Sequence, residues 1–238
     1  MKKNVIVGQS GGPTAVINAS LAGVYKTAKD MGADTIYGMR YGIQGLLEKK
    51  IVDLGEKIRN DMDVELLKRT PASFLGSCRY KLPEISEDKA IYEKIFAILE
   101  ELGIMAFFYI GGNDSMDTIA RLAAYGAKVK SSIRFIGVPK TIDNDIYGTD
   151  VTFGFQSAIN IATEAIDCIH TTAASHNRVF IVEVMGHKVG WLTLYAGIAG
   201  GADIILLPEI PYDINKVIGA INKRTKAGKG FTILAVAE

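Results

Sequence analysis

Lys140-Thr141-Ile142-Asp143-Asn144-Asp145 packs a cation, a hydroxyl and two carboxylates into six residues. One carboxylate can take a hydroxyl proton while the other orients a partner or a metal, and the cation can neutralise an anion beside them. Phosphoryl transfer calls for that equipment, because its main needs are positioning, charge neutralisation and a base. Asp143 and Asp145 stand two residues apart, so in a loop they need not face the same way. The plain alternative is a solvated polar turn.

Two glycine-rich segments accompany it. Gly8-Gln9-Ser10-Gly11-Gly12-Pro13-Thr14 follows the β-branched run Val5–Val7 and precedes a helical stretch toward Met31, with Pro13 suited to a first helical position. Glycines let backbone approach a ligand closely, and free helix N–H groups favour an anion. A tight turn with no ligand fits the same residues, and the segment is neither a Walker loop nor a GxGxxG fingerprint. Gly111-Gly112-Asn113-Asp114-Ser115 ends the apolar run Met105–Ile110. Its backbone can face phosphate, with side chains for a metal's water shell. Equally, Asn113, Asp114 or Ser115 can cap the helix that follows.

The elements that position these segments alternate. Strands are expected at Val5–Val7, Thr35–Met39, Met105–Ile110, Phe135–Val138, Val179–Val184, Asp203–Leu207 and Thr232–Val236. Helices are expected between them, among them Glu87–Leu102, Ser115–Tyr125 and Phe153–Thr172. In the last of these, Phe155, Ile159, Ala162, Ile166 and Ile169 recur at three- and four-residue steps and make one apolar face. Such alternation predicts an α/β fold, two Rossmann-like α/β/α lobes with largely parallel sheets, whose ligands gather at the carboxyl ends of the strands. The polar stretch Pro139–Tyr147 is the natural place to divide the chain. Phe231–Glu238 reads as a buried strand that stops abruptly, which suggests a missing C-terminal portion.

Composition narrows the partners. The 238 residues carry 27 basic and 26 acidic side chains, a net charge of +1. No overall field recruits nucleic acid or an anionic membrane, and no basic aromatic stripe is present. No run approaches the roughly 20 apolar residues that span a bilayer. The start of the chain has too short an apolar run for a signal peptide, and Cys78 and Cys168 form no CxxC pair or disulfide framework. These features place the protein in the cytoplasm.

Gly-Gly-Asn-Asp-Ser and Pro-Lys-Thr-Ile-Asp-Asn-Asp, in that order and about 30 residues apart, resemble the two signature loops of phosphofructokinases. The resemblance extends to Gly11-Gly12, Phe74-Leu75-Gly76-Ser77-Cys78-Arg79, Ser175-His176-Asn177-Arg178, Glu183-Val184-Met185-Gly186 and Ala237-Glu238. It covers the whole chain, and full-length family members run on further, so the chain looks truncated.

The resemblance implies a phosphoryl-donor lobe over residues 1–140 and a sugar-phosphate lobe over 141–238. It implies that Asp143 takes the proton from the sugar 1-hydroxyl, that Thr141 helps hold the reacting groups and that Asp145 supports the site electrostatically. Donor phosphates would lie against Gly11, Gly12 and Ser115, with Arg79 offering a guanidinium. Asn113 stands where many relatives carry the aspartate that holds Mg2+ through water. Mg2+ itself remains expected. Fructose 6-phosphate would meet Thr141, Ile142, Asp143, Met185, Gly186, His187 and Glu238. At His187 the family commonly has arginine, a stronger anion holder, and a plain helix start is the alternative. Arg178 resembles an arginine that reaches a neighbouring subunit's sugar phosphate, which implies a homo-oligomer, a dimer or a tetramer.

Asp114 and Lys140 decide the expected donor. Family members that use ATP usually have glycine at both positions. At contact distance and an effective dielectric near 20, the Asp114 carboxylate would repel an inner phosphate by roughly 4 kcal/mol, while Lys140 would neutralise a free pyrophosphate oxygen. The expectation is therefore reversible phosphoryl transfer from pyrophosphate to fructose 6-phosphate. An ATP-dependent 6-phosphofructokinase and a non-catalytic fragment of the same fold stay open beside it.

Overall fold

Six consecutive buried residues, Asn4–Gln9, form the first strand, β1. A strand hidden on both faces belongs inside a parallel sheet with helices above and below it. In the computed structural model, which describes residues 3–238, the chain divides into two units between Thr141 and Ile142.

In the first unit β1 is followed by α1 (Ile17–Asp30), β2 (Ile36–Met39), α2 (Gly42–Leu47), β3 (Ile51–Asp53), α3 (Leu54–Lys57) and α4 (Asp61–Arg69). Then come α5 (Lys89–Glu101), β4 (Ile104–Gly111), α6 (Asn113–Lys128) and β5 (Arg134–Thr141). The strands lie in the order β3-β2-β1-β4-β5. All are parallel except β3, which runs against β2.

Alternation along β1 sends its side chains to two cores. Val5 and Val7 pack with Ile17, Leu21 and Tyr25 of α1 and with Val64 and Leu67 of α4. Ile6 packs with Phe107 and Tyr109 of β4, with α5 through Tyr92, Ile95 and Leu99, and with Leu122 and Tyr125 of α6. The crossover helices α1 and α6 thus cover opposite faces, and the chain leaves β1 and β4 in opposite directions across the sheet. Open α/β sheets hold ligands at such a reversal, outside the carboxyl ends of the two strands.

The second unit contains β6 (Phe153–Gly154), α7 (Phe155–His176), β7 (Val179–Val184), α8 (Trp191–Ala199), β8 (Ile204–Leu206), α9 (Ile214–Lys226) and β9 (Thr232–Ala237). The strands β7-β9-β8 form a parallel sheet with the last strand in the middle. The α7 face predicted from its periodicity packs on this sheet, with Ile166 against Ile233 and Ala235 and Phe155 against Val184. Gly154, φ 109°, is the N-cap of the helix, and Asn177 in the left-handed region, φ 49°, closes it. Asparagine tolerates that conformation better than most residues.

The α/β class with mainly parallel strands is the fold the chain adopts. Several details differ from expectation; element ends move by a few residues, and four differences are of a larger kind. Pro13 does not open a helix, because α1 begins at Ile17 after a turn in which Ile17 N donates to Thr14 O. The strand β5 continues through Pro139, Lys140 and Thr141, with Pro139 paired beside Gly111. The long helix runs from Phe155 to His176, four residues beyond the expected end. Finally, β3 is too short for its periodicity to announce it. Among the described residues, no helix is long and apolar enough to cross a membrane.

Phe107 is fully buried, its ring 5.5 Å from Phe135 and 6.0 Å from Tyr109. Phe107→Ala is expected to cost about 3–5 kcal/mol of unfolding free energy. Urea unfolding of the variant measures this, and a loss under about 1 kcal/mol would show that the core does not depend on this ring.

Candidate functional site

At the reversal between β1 and β4, backbone and side chains tie four segments together. Ser10 N donates to Ile110 O at 2.9 Å, and Gly11 N donates to Cys78 O at 3.2 Å. The Ser10 hydroxyl also donates to Cys78 O, at 3.3 Å, and the Ser77 hydroxyl donates to Gly11 O. The Lys140 ammonium, whose residue is only 3% exposed, donates to Gly12 O. The structure therefore brings together Gly11, Gly12, Ser77, Gly111 and Lys140 at one sheet edge.

The four glycines there fall into two kinds. Gly11 has φ +76°, and a Cβ on Gly111 would lie 2.0 Å from the Ser115 hydroxyl oxygen. The fold itself requires both. A Cβ on Gly12 would have no neighbour within 4 Å, and one on Gly112 would meet only Lys140 O at 3.8 Å. Neither has a positive φ. Packing gives no reason for glycine at these two positions, whereas a ligand lying against bare backbone does.

Gly112 is also the N-cap of α6, a 16-residue helix with no side-chain cap bond. Uncapped first-turn N–H groups and the helix dipole favour an anion at that point. Asn113, Asp114 and Ser115 are not the N-cap, the alternative their types allowed; they form the first turn, with Ser115 buried and Asn113 and Asp114 exposed. Asp114 there carries a charge the helix dipole stabilises.

Arg79 is exposed and, among the described residues, makes no ion pair. It follows Cys78, whose thiol lies 3.6 Å from the Tyr109 hydroxyl. Burial lifts the Tyr109 phenol far above its ordinary value, so it stays neutral and accepts from Ile43 N at 3.3 Å. Sequence reasoning passed over Gln9 and Asn18, two buried amides beneath the same segment. A polar residue ending an otherwise apolar buried strand was the available signal.

Thr141 ends β5. In the second unit Ile142, Asp143, Asn144 and Asp145 are half-buried. Asn144 has φ 56°, and its carboxamide closes the following loop. Its Oδ1 accepts from Thr152 N at 2.8 Å and from the Thr152 hydroxyl at 3.3 Å, while its Nδ2 donates to Asp150 O at 3.2 Å. This amide shapes the turn that carries both aspartates.

Glu238 N donates to Val184 O at 3.0 Å, which places Glu238 beside Met185 at the carboxyl ends of β7 and β9. Gly186 is buried, and a Cβ there would lie 2.3 Å from Val189 O. His187 and Lys188 are exposed, with φ 43° and 72°. They form a turn between β7 and α8, so His187 is not a helix start. Arg178 lies at the other end of the same sheet, where its carbonyl accepts from Thr232 N. A strand of this length separates it from Met185 by roughly 20 Å. Met185, Gly186, His187 and Glu238 are brought together; Arg178 is not. Among the described residues, no group of three or more His, Cys, Asp or Glu is arranged to hold a metal ion.

A doubly wound α/β unit with two open glycines at its strand reversal defines the class. The phosphofructokinase family profile matches residues 4–238, and the chain belongs to that family. It is 43% identical over 232 residues to ATP-dependent 6-phosphofructokinase 3 of Bacteroides thetaiotaomicron, covering 96% of this chain and 66% of that one. It is 44% identical to the ATP-dependent 6-phosphofructokinase of Spirochaeta thermophila, covering 96% of this chain and 62% of that one. Among solved structures, a pyrophosphate-dependent phosphofructokinase from Nitrosospira multiformis superposes with a TM-score of 0.90 at 34% identity, over all of this chain and 61% of the other. The chain thus spans slightly under two thirds of the length of these relatives.

These names correct the expected donor. The curated relatives at 38–44% identity are called ATP-dependent, against the pyrophosphate reading drawn from Asp114 and Lys140. The physical basis of that reading is also weaker than the sequence suggested. Asp114 is exposed, so its repulsion of a phosphate falls toward the water value of about 1 kcal/mol. Lys140 is buried with its ammonium on the Gly12 carbonyl, where it braces the loop.

Gly111→Ala is expected to lose about 1–3 kcal/mol of stability through overpacking, and Gly12→Ala less than about 0.5 kcal/mol. Chemical unfolding of the two proteins side by side checks this. Equal losses would show that the fold needs glycine at both positions.

Proposed function

We propose that this protein acts as a 6-phosphofructokinase, moving a phosphoryl group from ATP to the 1-hydroxyl of fructose 6-phosphate. The observation that carries the reading is the pair of open glycines, Gly12 in the loop after β1 and Gly112 at the N-cap of α6. ATP as donor rests on the names of the relatives at 38–44% identity.

In this reading the donor phosphates lie along Gly11, Gly12, Gly112 and Ser115, with Arg79 as an exposed guanidinium partner. Lys140 holds the Gly12 carbonyl back from the phosphates and adds its positive charge from behind. Asp143 takes the proton of the sugar 1-hydroxyl as that oxygen attacks the terminal phosphorus; the bond from phosphorus to the bridging oxygen breaks, and ADP leaves. Thr141 and Asp145 flank the reacting groups, and Asn144 fixes the turn that presents them. The Ile142 backbone, Met185, Gly186, His187 and Glu238 hold the sugar phosphate. The first unit serves the donor and the second the sugar.

The exposed amide of Asn113 is a hard oxygen donor that would suit the water shell of Mg2+, an ion usually held with phosphates and water and not in an all-protein cage. When bound, it neutralises charge on the donor phosphates. Arg178, at the far end of β7 from Met185 and Glu238, fits service to a neighbouring copy's sugar phosphate, and so a homo-oligomer. The reading places the protein in the cytoplasm.

Steady-state assay of the whole protein with fructose 6-phosphate and either ATP or pyrophosphate tests the donor. Turnover with pyrophosphate and none with ATP would overturn it. Asp143→Asn is expected to lower kcat by about 10²–10⁴ with an unchanged circular dichroism spectrum, the usual cost of losing a general base. Turnover within about threefold of the parent would remove Asp143 from that role.

A further inference from the structure

Residues 70–88, which carry Arg79, lie outside any helix or strand. A stretch of that length keeps its place only if side chains hold it. Gln9 and Asn18, both fully buried, do so. Gln9 Oε1 accepts from Leu75 N at 2.8 Å and lies 2.9 Å from the Ser73 hydroxyl, whose one proton it shares with Gly76 O at 2.7 Å. Its Nε2 donates to Ile17 O at 3.1 Å and to Asn18 Oδ1 at 3.0 Å. Asn18 Oδ1 also accepts from Phe74 N at 2.9 Å, and its Nδ2 donates to Thr70 O at 2.9 Å.

Gln9 has thus filled two acceptor and two donor directions, the full capacity of a carboxamide. It is the last residue of β1, immediately before Ser10-Gly11-Gly12. One side chain therefore ends the strand that launches the donor loop and grips the segment whose Cys78 carbonyl receives Gly11 N. We infer that Gln9 and Asn18 are positioning residues for the donor half of the site, setting where Ser77, Cys78 and Arg79 stand against Gly11. This rests on the donor reading proposed above.

Only an amide suits Gln9, because one terminal atom must accept from two groups while the other donates to two. A carboxylate keeps the grip on Ser73 and Leu75 but turns an oxygen toward the Ile17 carbonyl and Asn18 Oδ1, where no proton is available. Ser73→Ala is the milder change. It removes the hydroxyl that bridges Gln9 Oε1 and Gly76 O in the same segment, from a half-buried loop residue, and leaves the core untouched.

The test combines hydrogen exchange with kinetics on the whole protein. In Gln9→Glu, amides of residues 70–79 are expected to exchange at least about tenfold faster while those of β4 are unchanged. The donor KM should rise about 3- to 10-fold with the fructose 6-phosphate KM unchanged. Ser73→Ala should move the donor KM in the same direction by about 2- to 5-fold, and it decides the matter if Gln9→Glu fails to fold. A purely structural role would lower the active fraction and leave both KM values alone. An unmoved donor KM, or equal rises in both, overturns the inference. Faster exchange in a protein whose parent lacks ATP-dependent turnover supports the gripping role and overturns only the donor reading.

Discussion

Parallel strands buried on both faces must be joined by helices, and in the first unit those helices leave β1 and β4 toward opposite faces. That reversal shapes the carboxyl edge of the sheet, and everything at the proposed donor site depends on it. It puts the Gly11-Gly12 loop beside the start of α6, so that bare backbone and an uncapped helix end meet in one place. Neither segment would hold an anion well alone. A short glycine turn has no fixed shape, and a helix end has no walls.

The loops at this edge keep their shape through polar groups buried behind them. An unsatisfied buried donor or acceptor costs about 1–3 kcal/mol, more than a typical hydrogen bond contributes net, so such groups are strict about geometry. Gln9, Asn18 and Ser10 each bind backbone atoms distant in sequence. Lys140 takes a charge into the same region, which is tolerable only with close partners, and the Gly12 carbonyl is one of them. These contacts add little stability each. Their effect is to leave the loops one arrangement.

Asp114 and Lys140 illustrate how charge read from a string misleads. As bare charges at contact distance in a poorly screened site, the two would discriminate between donors. The fold puts one at an exposed helix start, where the dipole welcomes it and water screens it, and turns the other into a buried brace. A few kcal/mol of expected donor discrimination depended on a dielectric environment that residue identity does not carry.

Sequence alone determined the α/β alternation, the glycine turns after β1 and β4, and the apolar face of α7, because burial periodicity and turn chemistry are written over a few neighbouring residues. The aspartate-bearing turn was legible in the same way, since Asp143, Asn144 and Asp145 are adjacent. Tertiary structure decided what depends on strand order. Leu75 meets Gln9 across 66 residues, and Glu238 comes beside Met185 only through the pairing of β7 with β9. It also decided which glycines the fold needs and which it leaves open: Gly11 and Gly12 are alike in the sequence, and only the backbone angle of one and the empty space beside the other tell them apart.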